Sequence, residues 1–215
     1  MAASSVFEEL DHQGAILDVP RDQVLILRPQ DSKSAIGTQR FNGHVCLVLM
    51  GTSPRSAIIM AHFDCSSAER SSSKTMPESE GESSFLTEME LNYMSMLRKA
   101  VKLFLDEHDL FQLPLAWVVL RHHDNPALSA LLREKTLKIF QQLRIQTGVS
   151  ICNESIIEAA SPQPPKCKVF TVRSGTGMSE IHVGDDLVYP KVCSGSLASA
   201  FDELGTGRVD NERED

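Results

Sequence analysis

Two residues in the first third of the chain, Cys46 and His62, have the types and spacing needed for nucleophilic catalysis. An imidazole close to a cysteine helps to generate the thiolate, which attacks the carbonyl carbon of an amide or ester. The imidazolium then protonates the leaving group. Both residues lie in short apolar runs, 44–50 and 57–63, joined by a turn that contains glycine and proline. This arrangement predicts a β-hairpin, in which the two side chains can face each other.

The register of this hairpin decides whether the two residues meet, and the sequence leaves the register open. Opposed residues in an antiparallel pair have a constant index sum, so a loop of residues 53–55 places Cys46 opposite His62. A loop shifted by one residue toward the N-terminus places His44 there, and a four-residue loop places Val45 there. The structural alternative is a buried cysteine beside a hydrogen-bonded histidine, because free cysteine is among the most buried residue types.

A second set of residues could hold zinc or iron, which imidazoles and carboxylates bind. Its members are His44, His62, Asp64, His122, His123 and Asp124. No HxH or HExxH spacing occurs, and adjacent histidines point to opposite sides of an extended chain, so at most one of the pair 122–123 could join a site. A polar turn before a helix is the alternative for 122–124. We expect neither a metal nor another cofactor, because the glycine-containing segments also lack the context of a nucleotide-binding loop.

The segment from Ile36 to Phe63, IGTQRFNGHVCLVLMGTSPRSAIIMAHF, resembles the nucleophile hairpin of one group of enzymes. These are the glutamine deamidases related to the catalytic domain of cytotoxic necrotizing factor and to the bacterial chemoreceptor deamidase, with a related fungal branch. Their pattern is a glycine next to a cysteine, an apolar strand, a turn and a second strand that ends in a histidine. The resemblance covers 28 of the 215 residues. It implies a thiol that attacks the side-chain amide of a protein glutamine and a histidine that assists.

The resemblance places the nucleophile in two ways. Counted from Gly43 the position is His44, which cannot form a thiolate, whereas counted back from His62 it is Cys46. Strand alternation puts residues 44 and 46 on one face, so either one residue substitutes for the other in space or the site is inactive. Cys46 is the expected nucleophile, His62 the general base and acid, and His44 lines the pocket or orients the other histidine.

The functional prediction is therefore a Cys–His hydrolase or deamidase that acts on a glutamine-type amide, in active or degenerate form. A non-catalytic binding module on the same scaffold and a metal-dependent enzyme are the alternatives. The expected partner is a protein or small-molecule amide substrate, and the oligomeric state stays open.

The remaining elements predict an α+β fold, with a mixed, largely antiparallel β-sheet or sandwich flanked by two main helices at 85–107 and 127–143. Strands are predicted at 15–28 with a break at Pro20, and at 44–50, 57–63, 114–120, 149–157, 167–172 and 179–189. We interpret 29–39 as a polar connector and the Ser-rich segment 64–84 as a mobile loop beside the site. A single domain over 1–192 and a largely disordered tail over 193–215 complete the organisation.

Composition argues against two classes of partner. The net charge is −8, and nucleic-acid binding needs a basic face, so no nucleic acid is expected. No apolar run approaches the roughly 20 residues of a membrane span, and the first residues lack the apolar core of a signal peptide. The five cysteines include no CxxC pair, which favours free thiols and a cytoplasmic location.

Overall fold

The structure, a computed structural model, describes residues 6–38, 45–53, 55–63, 81–121, 126–152, 168–173, 179–184 and 186–190. Within these ranges the chain forms two mixed β-sheets and three α-helices, and the fold is α+β as predicted. The strands are β1 Ile16–Asp18, β2 Gln23–Leu27, β3 Ala35–Thr38, β4 Val45–Gly51, β5 Ile58–Phe63, β6 Pro114–Arg121, β7 Gln146–Cys152, β8 Val169–Val172, β9 Glu180–Val183 and β10 Asp186–Tyr189. The helices are α1 Val6–His12, α2 Gly81–Asp106 and α3 Pro126–Gln142, with a 3-10 turn at His108–Leu110.

The ten strands divide into two sheets of five. Sheet A has the order β1-β3-β8-β9-β10, and sheet B has the order β2-β5-β4-β6-β7. Neighbouring strands are antiparallel except for β1 beside β3 and β6 beside β7. The prediction of a mixed, largely antiparallel sandwich is confirmed.

Three apolar clusters hold these elements together. One lies between the sheets and joins residues such as Val48 of sheet B to Ile181 of sheet A. A second lies between the other face of sheet B and helices α2 and α3, and it includes Leu47 and Phe140. The third lies on the outer face of sheet A, where Phe7 of α1 packs edge-on against Phe170. The layers therefore follow the order α1, sheet A, sheet B, and the pair α2 and α3.

Strands β4 and β5 form the centre of sheet B. Every residue from Val45 to Gly51 and from Ile58 to Phe63 is buried. A strand covered on both faces shows a continuous apolar run instead of an alternating one, which is the pattern that these two segments have. The hairpin is easy to predict from the sequence, because burial on both faces requires apolar residues at nearly every position.

One predicted loop contains a strand that the sequence analysis missed. Part of the supposed connector 29–39 forms β3, whose four residues are all buried inside sheet A. A strand of four residues with a glycine in it is too short to show a periodicity. Gly37 is required there, since a Cβ at that position would lie 2.6 Å from the Cβ of Phe170 on the neighbouring strand.

Three other boundaries differ from the predictions. The predicted strand 179–189 is a hairpin of β9 and β10, because Gly184 adopts a φ of 64° that reverses the chain without steric cost. Helix α2 includes residues 81–84, which were predicted to be loop, because a helix that has formed extends readily over a polar first turn. Strand β7 begins at Gln146, three residues earlier than predicted.

Several predictions fall on residues that the structure does not describe. They are the rest of the predicted Ser-rich loop (64–80), the end of the predicted strand 149–157 beyond residue 152, and the predicted tail 193–215. Helix α1 was not predicted at all. Its seven residues fall short of the two or more turns over which apolar periodicity becomes visible.

Candidate functional site

Cys46 and His62 are direct cross-strand partners in the hairpin of β4 and β5. The register is the one that a loop of residues 53–55 produces, the first of the three possibilities left open by the sequence. Directly opposed residues in an antiparallel pair share one face of the sheet. That face is the one toward sheet A, because Cys46 belongs to the apolar cluster between the two sheets. The fold thus brings the two predicted residues together.

The backbone around His62 is fixed on both sides of its strand. Strand β4 lies on one side, and on the other side His62 is the register partner of Gln23 in β2. The carbonyl oxygen of His62 accepts a hydrogen bond of 2.7 Å from the N–H of Asp22. The imidazole therefore projects from the interior of a sheet, which limits the directions in which it can point.

Sheet A contributes the third polar residue of the site, Thr38, at the end of β3. Its Oγ1 lies 3.1 Å from Nδ1 of His62, and this contact joins the two sheets. If Nδ1 carries the proton, it donates to the threonine oxygen and leaves Nε2 as the basic nitrogen. A third group that orients the base is the usual partner of a nucleophile–base pair. Thr38 was not among the predicted site residues, because its contact with His62 depends on how two separate sheets stack.

All three side chains are closed off from solvent. Cys46 is 0% exposed, His62 1% and Thr38 2%. Burial in the apolar layer raises the pKa of the Cys46 thiol well above its ordinary value, because the thiolate would lose its hydration there. The cysteine in this arrangement is a neutral thiol, which neither attacks carbonyl groups efficiently nor is open to a substrate.

A further hydroxyl lies on the same face of sheet A as Thr38. Thr171 of β8 is fully buried, and its Oγ1 has no hydrogen-bond partner among the described residues. The two buried threonines differ in their hydrogen bonding: the hydroxyl of Thr38 contacts the imidazole of His62, and that of Thr171 has no partner among the described residues. Thr171 can therefore serve as a control when the contribution of the Thr38–His62 hydrogen bond to stability is measured.

The other predicted site residues are not described by the structure. All five of them lie outside the described ranges: His44, Asp64, His122, His123 and Asp124. Among the residues that the structure does describe, no three His, Cys, Asp or Glu side chains are placed to hold a metal ion. No helix in the same ranges is long and apolar enough to cross a membrane.

No protein-family model matches this chain, and no similar sequence was found among curated proteins. The resemblance to the glutamine deamidases therefore stays a prediction from the hairpin sequence.

Proposed function

We propose that this chain has the scaffold of a cysteine–histidine amide hydrolase of the glutamine deamidase type, in a degenerate form that does not use Cys46 as a nucleophile. The observation that carries this proposal is the complete burial of the Cys46 thiol between the two sheets. The opposed cysteine and histidine support the relationship to the enzyme type. The burial of the sulfur supports the view that Cys46 does not act as a nucleophile.

Two physical requirements of thiol catalysis argue for this loss. The sulfur must ionise near neutral pH, whereas burial raises the pKa of this thiol. The reacting carbonyl carbon must also approach to roughly 3–3.5 Å of the sulfur. Sheet A covers that approach, since the apolar layer between the sheets surrounds Cys46. A substrate would have to separate β3 from sheet B and break the contact between Thr38 and His62.

The retained function in this proposal is the binding of a protein or small molecule that carries a glutamine-type amide. The resemblance supports this ligand class, and the histidine at position 44 is consistent with it. An imidazole can form a hydrogen bond with an amide group but cannot form a thiolate. His44, which follows Gly43 as the nucleophile does in the resembled pattern, would then contribute to recognition.

An active enzyme is the second candidate, and the cross-strand pairing of Cys46 with His62 is the observation that favours it. In that case His62 would accept the thiol proton and the sulfur would attack the amide carbon. The carbon–nitrogen bond would break as the imidazolium returns its proton, which releases ammonia and leaves a thioester. Water would then hydrolyse the thioester to a carboxylate and regenerate the thiol. This sequence requires an open state in which Cys46 is accessible.

Iodoacetamide labelling of each cysteine as a function of pH, resolved by mass spectrometry, distinguishes the two candidates. We expect Cys46 to stay unlabelled in the native protein even near pH 8.5, where ordinary thiols ionise, and to become labelled in urea. In parallel, ammonia release from glutamine-containing peptides should stay at background for the wild type and for the variants Cys46→Ala and His62→Ala.

Labelling of native Cys46 below pH 8 at a rate above that of the other cysteines would contradict the degenerate form. Ammonia release that disappears in Cys46→Ala would then establish the active enzyme. Ammonia release that persists in Cys46→Ala would also contradict the proposal, and it would assign the chemistry to residues other than this thiol.

A further inference from the structure

A row of neighbouring residues crosses the face of sheet B that lies toward sheet A, and it contains both residues of the proposed site. The strand registers place Gln23 beside His62, His62 beside Cys46, Cys46 beside Val119, and Val119 beside Ser150. Strands β2 and β7 are the two outer strands of the described sheet, so the row ends at Gln23 on one side and at Ser150 on the other. The cysteine and the histidine therefore lie inside a row that has a polar side chain at each end.

Alternation along β2 fixes the direction of the Gln23 side chain. Val24 packs against the apolar cluster on the helix side of sheet B, whereas Leu25 packs against the cluster between the two sheets. Successive side chains of a strand point to opposite faces, so Gln23 shares the inner face with Leu25. Directly opposed residues of an antiparallel pair have Cβ atoms about 4.5–5.5 Å apart, which places the carboxamide of Gln23 within reach of the space beside His62.

Solvent exposure changes along this row. Cys46 is 0% exposed and His62 is 1% exposed, whereas Gln23 is exposed. At the other end Ser150 is half-buried, and its hydroxyl accepts a hydrogen bond of 2.9 Å from Nε1 of Trp117. Gln23 is therefore the member of the row that a ligand can contact while the two sheets stay packed together.

We infer that Gln23 is the residue that contacts the ligand amide, and that its carboxamide determines the preference for a glutamine-type side chain. This inference rests on the proposed amide-binding function and names a residue that would carry it out. A carboxamide has N–H donors and a carbonyl acceptor, so two carboxamides can pair through two N–H···O hydrogen bonds. An apolar side chain of the same length forms neither of these bonds.

Contact at Gln23 is compatible with the burial of the thiol. An amide bound to Gln23 lies beside His62 and leaves the hydrogen bond between Thr38 and His62 intact. Recognition then requires no separation of the two sheets, whereas attack by Cys46 would require it. The same row of residues can thus bind an amide at its exposed end and keep its sulfur out of contact with the ligand.

Gln146 supplies a matched control at the opposite edge of the same sheet. It is exposed, it is the first residue of the outer strand β7, and its register partner Leu115 belongs to the cluster between the sheets. Its side chain therefore has the same type and the same face as Gln23, but it lies beside a leucine instead of the histidine. Exchange of either glutamine for methionine keeps the length of the side chain and removes its hydrogen-bonding groups.

A magnetic-resonance titration of the isotope-labelled full-length chain with two blocked pentapeptides tests the inference. Both peptides are alanine-based and uncharged, and the central residue is glutamine in one and methionine in the other. We expect the wild type to bind the glutamine peptide about tenfold more tightly, with a shift of the side-chain NH₂ signals of Gln23. The variant Gln23→Met should lose this preference, and Gln146→Met should keep it.

A preference that survives in Gln23→Met would overturn the inference and leave the proposed amide binding in place, with recognition assigned to other residues. An equal loss in Gln146→Met would also overturn it, because the preference would then come from exposed carboxamides in general. A wild type that binds both peptides equally would overturn both the inference and the amide-binding function. Circular dichroism checks the fold of each variant, and a methionine variant that does not fold is replaced by the corresponding alanine variant.

Discussion

The two faces of the central hairpin differ in the chemistry that they bury. Toward the helices, β4 presents Val45, Leu47 and Leu49, which belong to the apolar cluster that α2 and α3 complete. Toward sheet A, the same hairpin presents Cys46 and His62. Both layers are equally closed, since Leu47 is 1% exposed and Cys46 0%.

Each layer nevertheless holds a pair of buried polar side chains that contact each other. On the helix side Tyr93 of α2 contacts Thr136 of α3 through their hydroxyl groups. On the other side Thr38 contacts His62 across the two sheets. Buried polar groups require partners, and each pair joins two elements that are distant in sequence. Thr38 and His62 thus join the two sheets, and Tyr93 and Thr136 join the two long helices.

The largest expected effect concerns the apolar side of this comparison. Leu47→Ala should lower the free energy of unfolding by about 3 kcal/mol, because it removes a fully buried side chain and leaves a cavity between sheet B and the helices. Urea unfolding measures the change. Leu105→Ala, on the exposed face of α2, should change stability by less than about 0.5 kcal/mol. Equal losses in the two variants would contradict the assigned core.

A smaller effect is expected at alkaline pH. Burial raises the pKa of Tyr93 to about 12, above the value of about 10 for an unfolded tyrosine. The folded state therefore favours the neutral phenol, so stability is complete below pH 10 and falls as the pH rises from 10 to 12. The loss from this residue should reach about 2–3 kcal/mol.

The variant Tyr93→Phe should lack this loss, and urea unfolding at several alkaline pH values compares it with the wild type. The hydroxyl of Thr136 stays bonded in this variant, since it also donates to the carbonyl oxygen of Leu132 at 2.7 Å. Parallel pH profiles of the two proteins would show that Tyr93 is not the titrating group.

The smallest effect concerns the pair between the sheets. Thr38→Val should lower the free energy of unfolding by about 2 kcal/mol, because it removes the hydroxyl that contacts Nδ1 of the buried His62. The matched variant Thr171→Val should be neutral or stabilising, since its hydroxyl is buried without a partner in the described structure.

Nitrogen NMR of the imidazole supplies a second readout, because loss of the contact should shift the tautomer of His62 whereas Thr171→Val should not. If the two threonine variants cost the same free energy, the contact with His62 contributes nothing beyond threonine packing. The hydrogen bond between Thr38 and His62 would then not stabilise the stacking of the two sheets.

The accuracy of the sequence predictions follows the length and burial of each element. Strands β4, β5 and β6 and the two long helices were predicted to within a few residues, because their apolar patterns extend over many positions. Strand β3 and helix α1 were missed, because four and seven residues are too few to show a pattern. The candidate site divides in the same way: Cys46 and His62 were found, and Thr38 on β3 was not.

The amino-acid pattern alone predicts the α+β fold, the central hairpin and the two residues on it, Cys46 and His62, that could perform nucleophilic catalysis. It also limits their pairing to three registers, since a hairpin with a short loop has few choices. The register that is adopted, and the burial of Cys46 and His62 beside Thr38, follow instead from the packing of the whole fold. The physical reason is that register and solvent exposure depend on what packs against a strand. That packing is set by β3, β8 and the stacking of two sheets, which lie far from the hairpin in sequence.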